Sequence, residues 1–277
     1  MNLAAGFRMV LALARKKLAQ ELAYKASLLM WFIFPFLFIA PYVYQARFFA
    51  GPGGEGVGAF TRLAGTDNYL GFIVVGATLW YWLTNLLWEI GFSIRDEQSM
   101  GTLEQLWLTP APRWLLITGN AAANTVINTF MSLAVLGIAH LWFGLRLTAD
   151  PGLLALACGL SWLALYGMGF FYSGLVMLLK EAEGVVRLGN EVVLALAGVT
   201  YPLAVLPGWA GVLGKAIPLS WALKVLRGIL LEGRGWAALS GDLLVLALFA
   251  ILTPAAGLAC FGALERVTRR RGILGEY

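Results

Sequence analysis

The chain has 277 residues, 60% of them hydrophobic and 13% charged, with a mean hydropathy of +0.78. That composition excludes an ordinary soluble domain and points to an integral membrane protein. The net charge of +5 is small beside its uneven distribution, and nothing in it supports a nucleic-acid role. Several runs reach the roughly 18 to 20 apolar residues that a helix needs to cross the hydrocarbon core. They are continuously apolar and do not alternate as the strands of a transmembrane barrel do, so the predicted fold class is all-α.

In chain order, residues 1–25 place Phe7, Leu11, Leu18 and Leu22 on one helical face with Arg8, Arg15, Lys16 and Lys17 around the rest of the cylinder. This predicts an amphipathic helix lying in the headgroup region, an elbow before the first crossing. No short apolar run with a small-residue cleavage site follows the basic group, so an uncleaved first helix is expected to insert. The first span is predicted over 26–44, kinked by Pro35 and Pro41. A glycine-rich loop, GPGGEGVGAF, leads to a second span over 69–94. Further spans are predicted over 115–143, 152–179, 192–207 and 239–264, with a polar loop, KEAEGVVRLGNE, before the fifth. The fifth has only about 16 residues, roughly 24 Å as a helix, which is short for a crossing. Residues 208–233 are rich in Gly and Pro and too charged to cross alone. They are expected to form a broken, re-entrant segment whose freed backbone must be covered by protein or water.

Six crossings put both termini on one side. Thirteen lysines and arginines fall on that side and seven on the other. The positive-inside rule then predicts cytoplasmic termini, in a multi-pass protein of the cell inner (plasma) membrane.

The connection from Arg95 to Arg113 is cytoplasmic in this topology. Thr102 and Gln105 form a T-x-x-Q capping box, and Pro110 with Pro112 stops whatever starts there. A short helix over 102–108 would carry Leu103, Leu106 and Trp107 on one face, with Glu104 pointing away. Gly101 before the cap suits a sharp turn out of the preceding span. Such an element is either a dock for a cytoplasmic partner or an interfacial loop whose Leu and Trp dip into lipid.

The stretch RDEQSMGTLEQLWLTPAPRWLLITGN, Arg95 to Asn120, resembles the signature of type-2 ABC transporter permeases. The resemblance rests on Arg95, Glu97, Gly101, Thr102, Leu103, Glu104, Leu106, Thr109, Pro110 and Gly119. Asn120 stands where that family often carries Lys. IPLSWALKVLRGILLEG, Ile217 to Gly233, is similar to a second family pattern, and the order of elbow helix, six spans and broken segment fits it as well. The resemblance implies a homo- or heterodimeric permease whose coupling helix, 102–108, docks on a separate ATP-binding subunit. Its implied docking residues are Arg95, Glu97, Gly101, Thr102, Leu103, Glu104, Leu106, Trp107 and Pro110. ATP and Mg would belong to that partner, with no cofactor held by this chain. GWAGVLGK, Gly208 to Lys215, is the nearest approach to a phosphate loop, but its outer glycines are one residue too far apart and Ala216 follows where Ser or Thr is needed.

The expected activity is therefore transport, not catalysis: export of a lipophilic or amphipathic drug, antibiotic or lipid. The alternatives are a polysaccharide or lipid-linked glycan exporter of the same family, or a gradient-driven secondary transporter. Glu89 inside the second span is costly and should face a cavity or partner, and Trp80 and Trp82 in LWYWLTNLLW are candidates for the substrate path or for packing. Glu191 reads as a helix-start charge and His140 as an interfacial residue beside Trp142. Cys158 and Cys260 lack metal spacing and read as small apolar side chains. One histidine and dispersed acids build neither a catalytic triad nor a metal centre.

Overall fold

The computed structural model describes residues 8, 11–16, 18, 19, 23, 25–51, 55–99, 113–178 and 182–271. Among these the chain is all helix and turn. In chain order the helices are α1 (Lys25–Ala50), α2 (Glu55–Ala64), α3 (Tyr69–Ser99), α4 (Arg113–Phe143) and α5 (Pro151–Leu178). They continue with α6 (Ala182–Leu196), α7 (Gly208–Lys215), α8 (Pro218–Leu230) and α9 (Trp236–Arg271). Five are long and apolar enough to cross a membrane, within α1, α3, α4, α5 and α9. The chain is thus a multi-pass membrane protein. The described residues between 8 and 23 are helical, and Leu13 packs where a side chain on Gly119 of α4 would sit. The predicted coupling helix, 102–108, lies outside the described residues.

Three expectations change. The glycine-rich loop gives way at Glu55 to α2, whose Phe60 meets Tyr69 and Phe72 edge-on at 4.5 and 5.1 Å. The helix that carries the second span runs past Ile94, through Arg95 and Glu97, to Ser99. The fifth span over 192–207 is not one helix. Helix α6 begins ten residues earlier, at Ala182 inside the supposed polar loop, and ends at Leu196. The reason is a stripe hidden among charges: Val186, Asn190, Val193 and Ala197, spaced by four, three and four residues, are all buried. Glu191 accordingly sits inside α6, exposed, and not at its start.

Helices α5 and α9 form the tightest pair, and they run parallel. Ala164 accepts a 2.6 Å hydrogen bond from Thr253 Oγ1, Gly167 lies directly against Pro254 and Gly257, and Gly174 lies against Phe261 and Leu264. Small residues let the two backbones approach closely, as in membrane helix pairs generally. Because α5 and α9 point the same way, the chain must return from one end of the bundle to the other between Leu178 and Trp236. It does so in pieces: α6, a 3-10 turn at Leu203–Val205, α7 and α8.

The break after α6 frees backbone carbonyls in the packed interior, and a single side chain collects them. Arg227 of α8 is 7% exposed. Its Nη1 donates to Gly198 O at 2.9 Å and its Nη2 to Val199 O at 2.5 Å, while Nε and Nη2 reach Phe72 O in the first turn of α3 at 3.2 and 3.0 Å. The guanidinium also lies 3.3 Å from the Phe72 ring centroid. Only glycine fits on either side of this junction. Gly198 has φ +71°, and a Cβ on Gly76 would strike both the Val199 carbonyl and the guanidinium. Helix α8 is then wedged against α3, α5 and α9, with Leu219, Leu223, Val225 and Ile229 fully enclosed. Ser220 Oγ and Trp221 Nε1 donate to the last-turn carbonyls of α7, at Gly214 and Lys215, both at 2.7 Å, and so close the α7–α8 corner.

Arg227→Leu should therefore destabilise the chain by about 3 kcal/mol or more, because it strands the buried carbonyls of Gly198 and Val199 and removes charge-assisted bonds. Lys224→Gln, which breaks only the partly exposed pair with Asp242, should cost about 1 kcal/mol or less. Thermal unfolding of the two variants in detergent gives the comparison, and equal midpoints would refute the role assigned to Arg227.

Candidate functional site: a polar cleft among α1, α3, α4 and α6

A cleft of about 610 Å³ opens inside the apolar stretches of α1, α3 and α4. Helix α3 contributes Tyr81, Asn85, Trp88, Glu89 and Phe92, a face that repeats every three to four residues. Helix α4 contributes Asn124, Ile127, Asn128 and Met131 on the same rule, α1 adds Met30 and Phe34, and Glu183 of α6 closes one end. Aromatic rings thus stand beside amides and two carboxylates, within spans where each polar group costs free energy unless a cavity or partner receives it.

The local structure accounts for the placement. Asn85 Nδ2 donates to Tyr81 O at 2.8 Å, which turns the amide along its own helix and toward the cleft wall. Phe34 packs against Tyr81 at 5.2 Å between centroids, and Phe38 against the same ring at 4.8 Å, so α1 is held to α3 at the rim. Trp88 stacks on Phe92 at 4.9 Å with planes 14° apart. Behind the cleft, Thr125 Oγ1 and Tyr166 Oη share a 2.5 Å hydrogen bond that ties α4 to α5. The cavity size and the mixture of ring faces with a few polar groups suit an amphipathic organic molecule. Among the described residues no group of His, Cys, Asp and Glu could hold a metal ion.

Of the residues singled out from sequence, Glu89 lines the cleft. Trp82 is buried on another face of α3, stacked on Trp162 at 6.2 Å, and Trp80 packs against the same central cluster. Arg95 and Glu97 lie in the last turns of α3, below Glu89 on the same helix, while Gly101, Thr102, Leu103, Glu104, Leu106, Trp107 and Pro110 lie outside the described residues. His140 is exposed, its Nδ1 2.7 Å from Leu145 O, at the end of α4 beside the exposed Trp142. Gly208 to Lys215 forms helix α7. Sequence reasoning missed Asn85, Asn124, Asn128 and Glu183. The signal was present in GNAAANTVIN, which sets Asn120, Asn124 and Asn128 four residues apart, a polar line down an otherwise apolar span.

Comparison with known proteins gives a family match and weaker relatives. The sequence profile of the ABC-2 type transporter family matches residues 8–231. Two curated proteins, each described as a probable multidrug ABC transporter permease, come from Escherichia coli K12 and Escherichia coli O157:H7. Each is 22% identical over 194 residues, 70% of this chain and 53% of the relative. The chain spans about half the length of the curated relatives it matches.

If the cleft is water-filled, a cysteine at Asn124 should react with a small charged thiol reagent, in a background lacking Cys158 and Cys260. A cysteine at Leu83, which is fully buried in the core, should not. Labelling rates followed by mass spectrometry decide it, and equal rates would mean that the cleft is closed to water.

Proposed function

Because the chain belongs to the ABC-2 type transporter family, we propose that it is the permease subunit of an ATP-driven exporter for a lipophilic or amphipathic molecule. In this reading two permeases pair, each served by a separate ATP-binding subunit that holds ATP and Mg. The relatives are described as multidrug permeases, which suits a cleft lined by rings, amides and carboxylates.

One observation carries the proposal. The connection bearing the Gly-Thr-Leu-Glu motif, residues 100–112, joins α3 to α4, and these two helices supply most of the cleft's polar lining. A push on that connection acts directly on both walls of the substrate path. The docking surface in this reading is Arg95, Glu97 and the predicted coupling helix, 102–108, with its acidic flank at Glu104. Closure of the nucleotide-bound ATPase pair would bias the bundle between inward- and outward-open states, which requires only a few kcal/mol of differential interaction. The return of the chain between α5 and α9 through α6, α7 and α8 makes the sixth crossing, and both termini are cytoplasmic, in the inner membrane.

The test uses the chain co-expressed with a candidate ATP-binding subunit. Glu104→Arg should insert and fold normally yet lose most substrate-stimulated ATP turnover, since a reversed charge at the dock repels where the native one attracts. Glu89→Ala should keep basal turnover and weaken stimulation by amphipathic compounds. Unaltered stimulation in the Glu104→Arg protein would remove the docking role and the exporter reading with it.

A further inference from the structure

A second pocket lies at the opposite end of the bundle from Ser99 and Arg113, where α2 ends and α3 begins. It has a volume of about 320 Å³, and its back wall is Arg227. Lys215, Lys224 and Arg234 also face it, against one lining carboxylate, Glu232. Arg234 holds Glu232 at 2.6 Å, and Lys224 holds Asp242 at 2.7 Å while lying 5.3 Å from the Trp221 ring centroid. Arg227 is bonded to carbonyls, which leave its charge in place. No carboxylate among the described residues pairs with Lys215. Four basic side chains therefore meet two acidic ones, and the excess is positive.

The segments that supply this pocket also carry bare apolar side chains. Leu63 lines the pocket itself, and Val205, Trp209, Val212 and Leu213, between the lining residues Ala204 and Lys215, and Trp236, two residues after the lining Arg234, are, with Leu63, each between 48% and 69% exposed. Two exposed tryptophans at the ends of helices mark the depth at which acyl chains give way to headgroups. A cationic pocket whose segments also bare apolar side chains at that depth fits a molecule with an anionic head and an apolar tail. The volume lies at the small end of the range of about 300–1,000 Å³ for ligand sites, room for a headgroup but not for its chains.

We propose that this pocket binds the phosphate of an anionic phospholipid headgroup, with Arg227 and Lys215 as the cations that face it and the acyl chains lying across Trp209 and Val212. The site is separate from the polar cleft and the proposal does not rest on the exporter reading. Its location on the broken crossing means that an occupied pocket would brace α7 and α8 against α2 and α3.

The full-length chain, purified in uncharged detergent, would be titrated with dihexanoyl phosphatidylglycerol, dihexanoyl phosphatidylcholine, glycerol 1-phosphate and inorganic phosphate, with thermal midpoint and native mass spectrometry as readouts. Phosphatidylglycerol should bind saturably and raise the midpoint, and phosphatidylcholine should not. Lys215→Gln, a rim change that leaves the Arg227 junction intact, should weaken phosphatidylglycerol binding about fivefold, the scale for one basic side chain near an anionic headgroup. Arg266→Gln, at the far end of α9, should leave it unchanged. Equal binding of the two lipids, or an unaltered affinity in Lys215→Gln, would overturn the site. Glycerol 1-phosphate binding as tightly as phosphatidylglycerol would overturn the lipid assignment and give the pocket to a soluble phosphate ester. Neither readout involves an ATPase, so a negative result here leaves the exporter proposal standing, and the reverse.

Discussion

The guanidinium of Arg227, set among the carbonyls of Phe72, Gly198 and Val199, is the contact on which the rest of the bundle depends. A return made of separate pieces leaves peptide groups without helical partners, and each such group is expensive once packing has buried it. A planar donor with five N–H groups can serve several carbonyls at once, whereas an ammonium on a flexible stem cannot match that fork. The same residue fastens α8 to the start of α3, so the broken return and the cleft helix share one anchor.

Packing around that anchor follows from its requirements. The backbone of the break approaches α3 so closely that position 76 admits no side chain, and the turn at Gly198 needs a positive φ. Helices α5 and α9 then brace the assembly through the contacts of Gly167 and Gly257 and the Thr253 hydroxyl. The candidate spans of α1, α4 and α9 are each only 22% buried, so these helices keep bare apolar faces, which belong to lipid or to another subunit.

Long apolar runs were legible because length and composition alone decide a crossing. Helix α6 was not, because its buried stripe of Val186, Asn190, Val193 and Ala197 is interrupted by Glu183, Arg187 and Glu191, and an average over the window reads as polar. Helix α2 hid among five glycines for a similar reason: composition suggested a loop where an amphipathic period was present. At the cleft, Glu89 was visible as a charge in an apolar span. The asparagines were not, since an uncharged amide scarcely lowers the hydropathy of a long run. Trp80 and Trp82 show the limit of composition: aromatic content does not say which face of α3 meets the core, and only the neighbours on α5 decide that.

Helix α3 ties these parts into one mechanical element. It begins at the Arg227 junction, runs past the cleft face from Tyr81 to Phe92, and ends at Ser99 beside the connection that carries the Gly-Thr-Leu-Glu motif. At about 1.5 Å per residue its 31 residues span roughly 46 Å, with no proline to absorb a bend. A displacement of its lower end is therefore transmitted and not dissipated along the helix. It reaches the cleft first and the junction last. In the exporter reading, the cost of moving α3 is set at its far end, where Arg227 must stay on the Gly198 and Val199 carbonyls as well as on Phe72 O. Stabilising the broken crossing and holding back the conformational change would then be the same act, performed by one arginine.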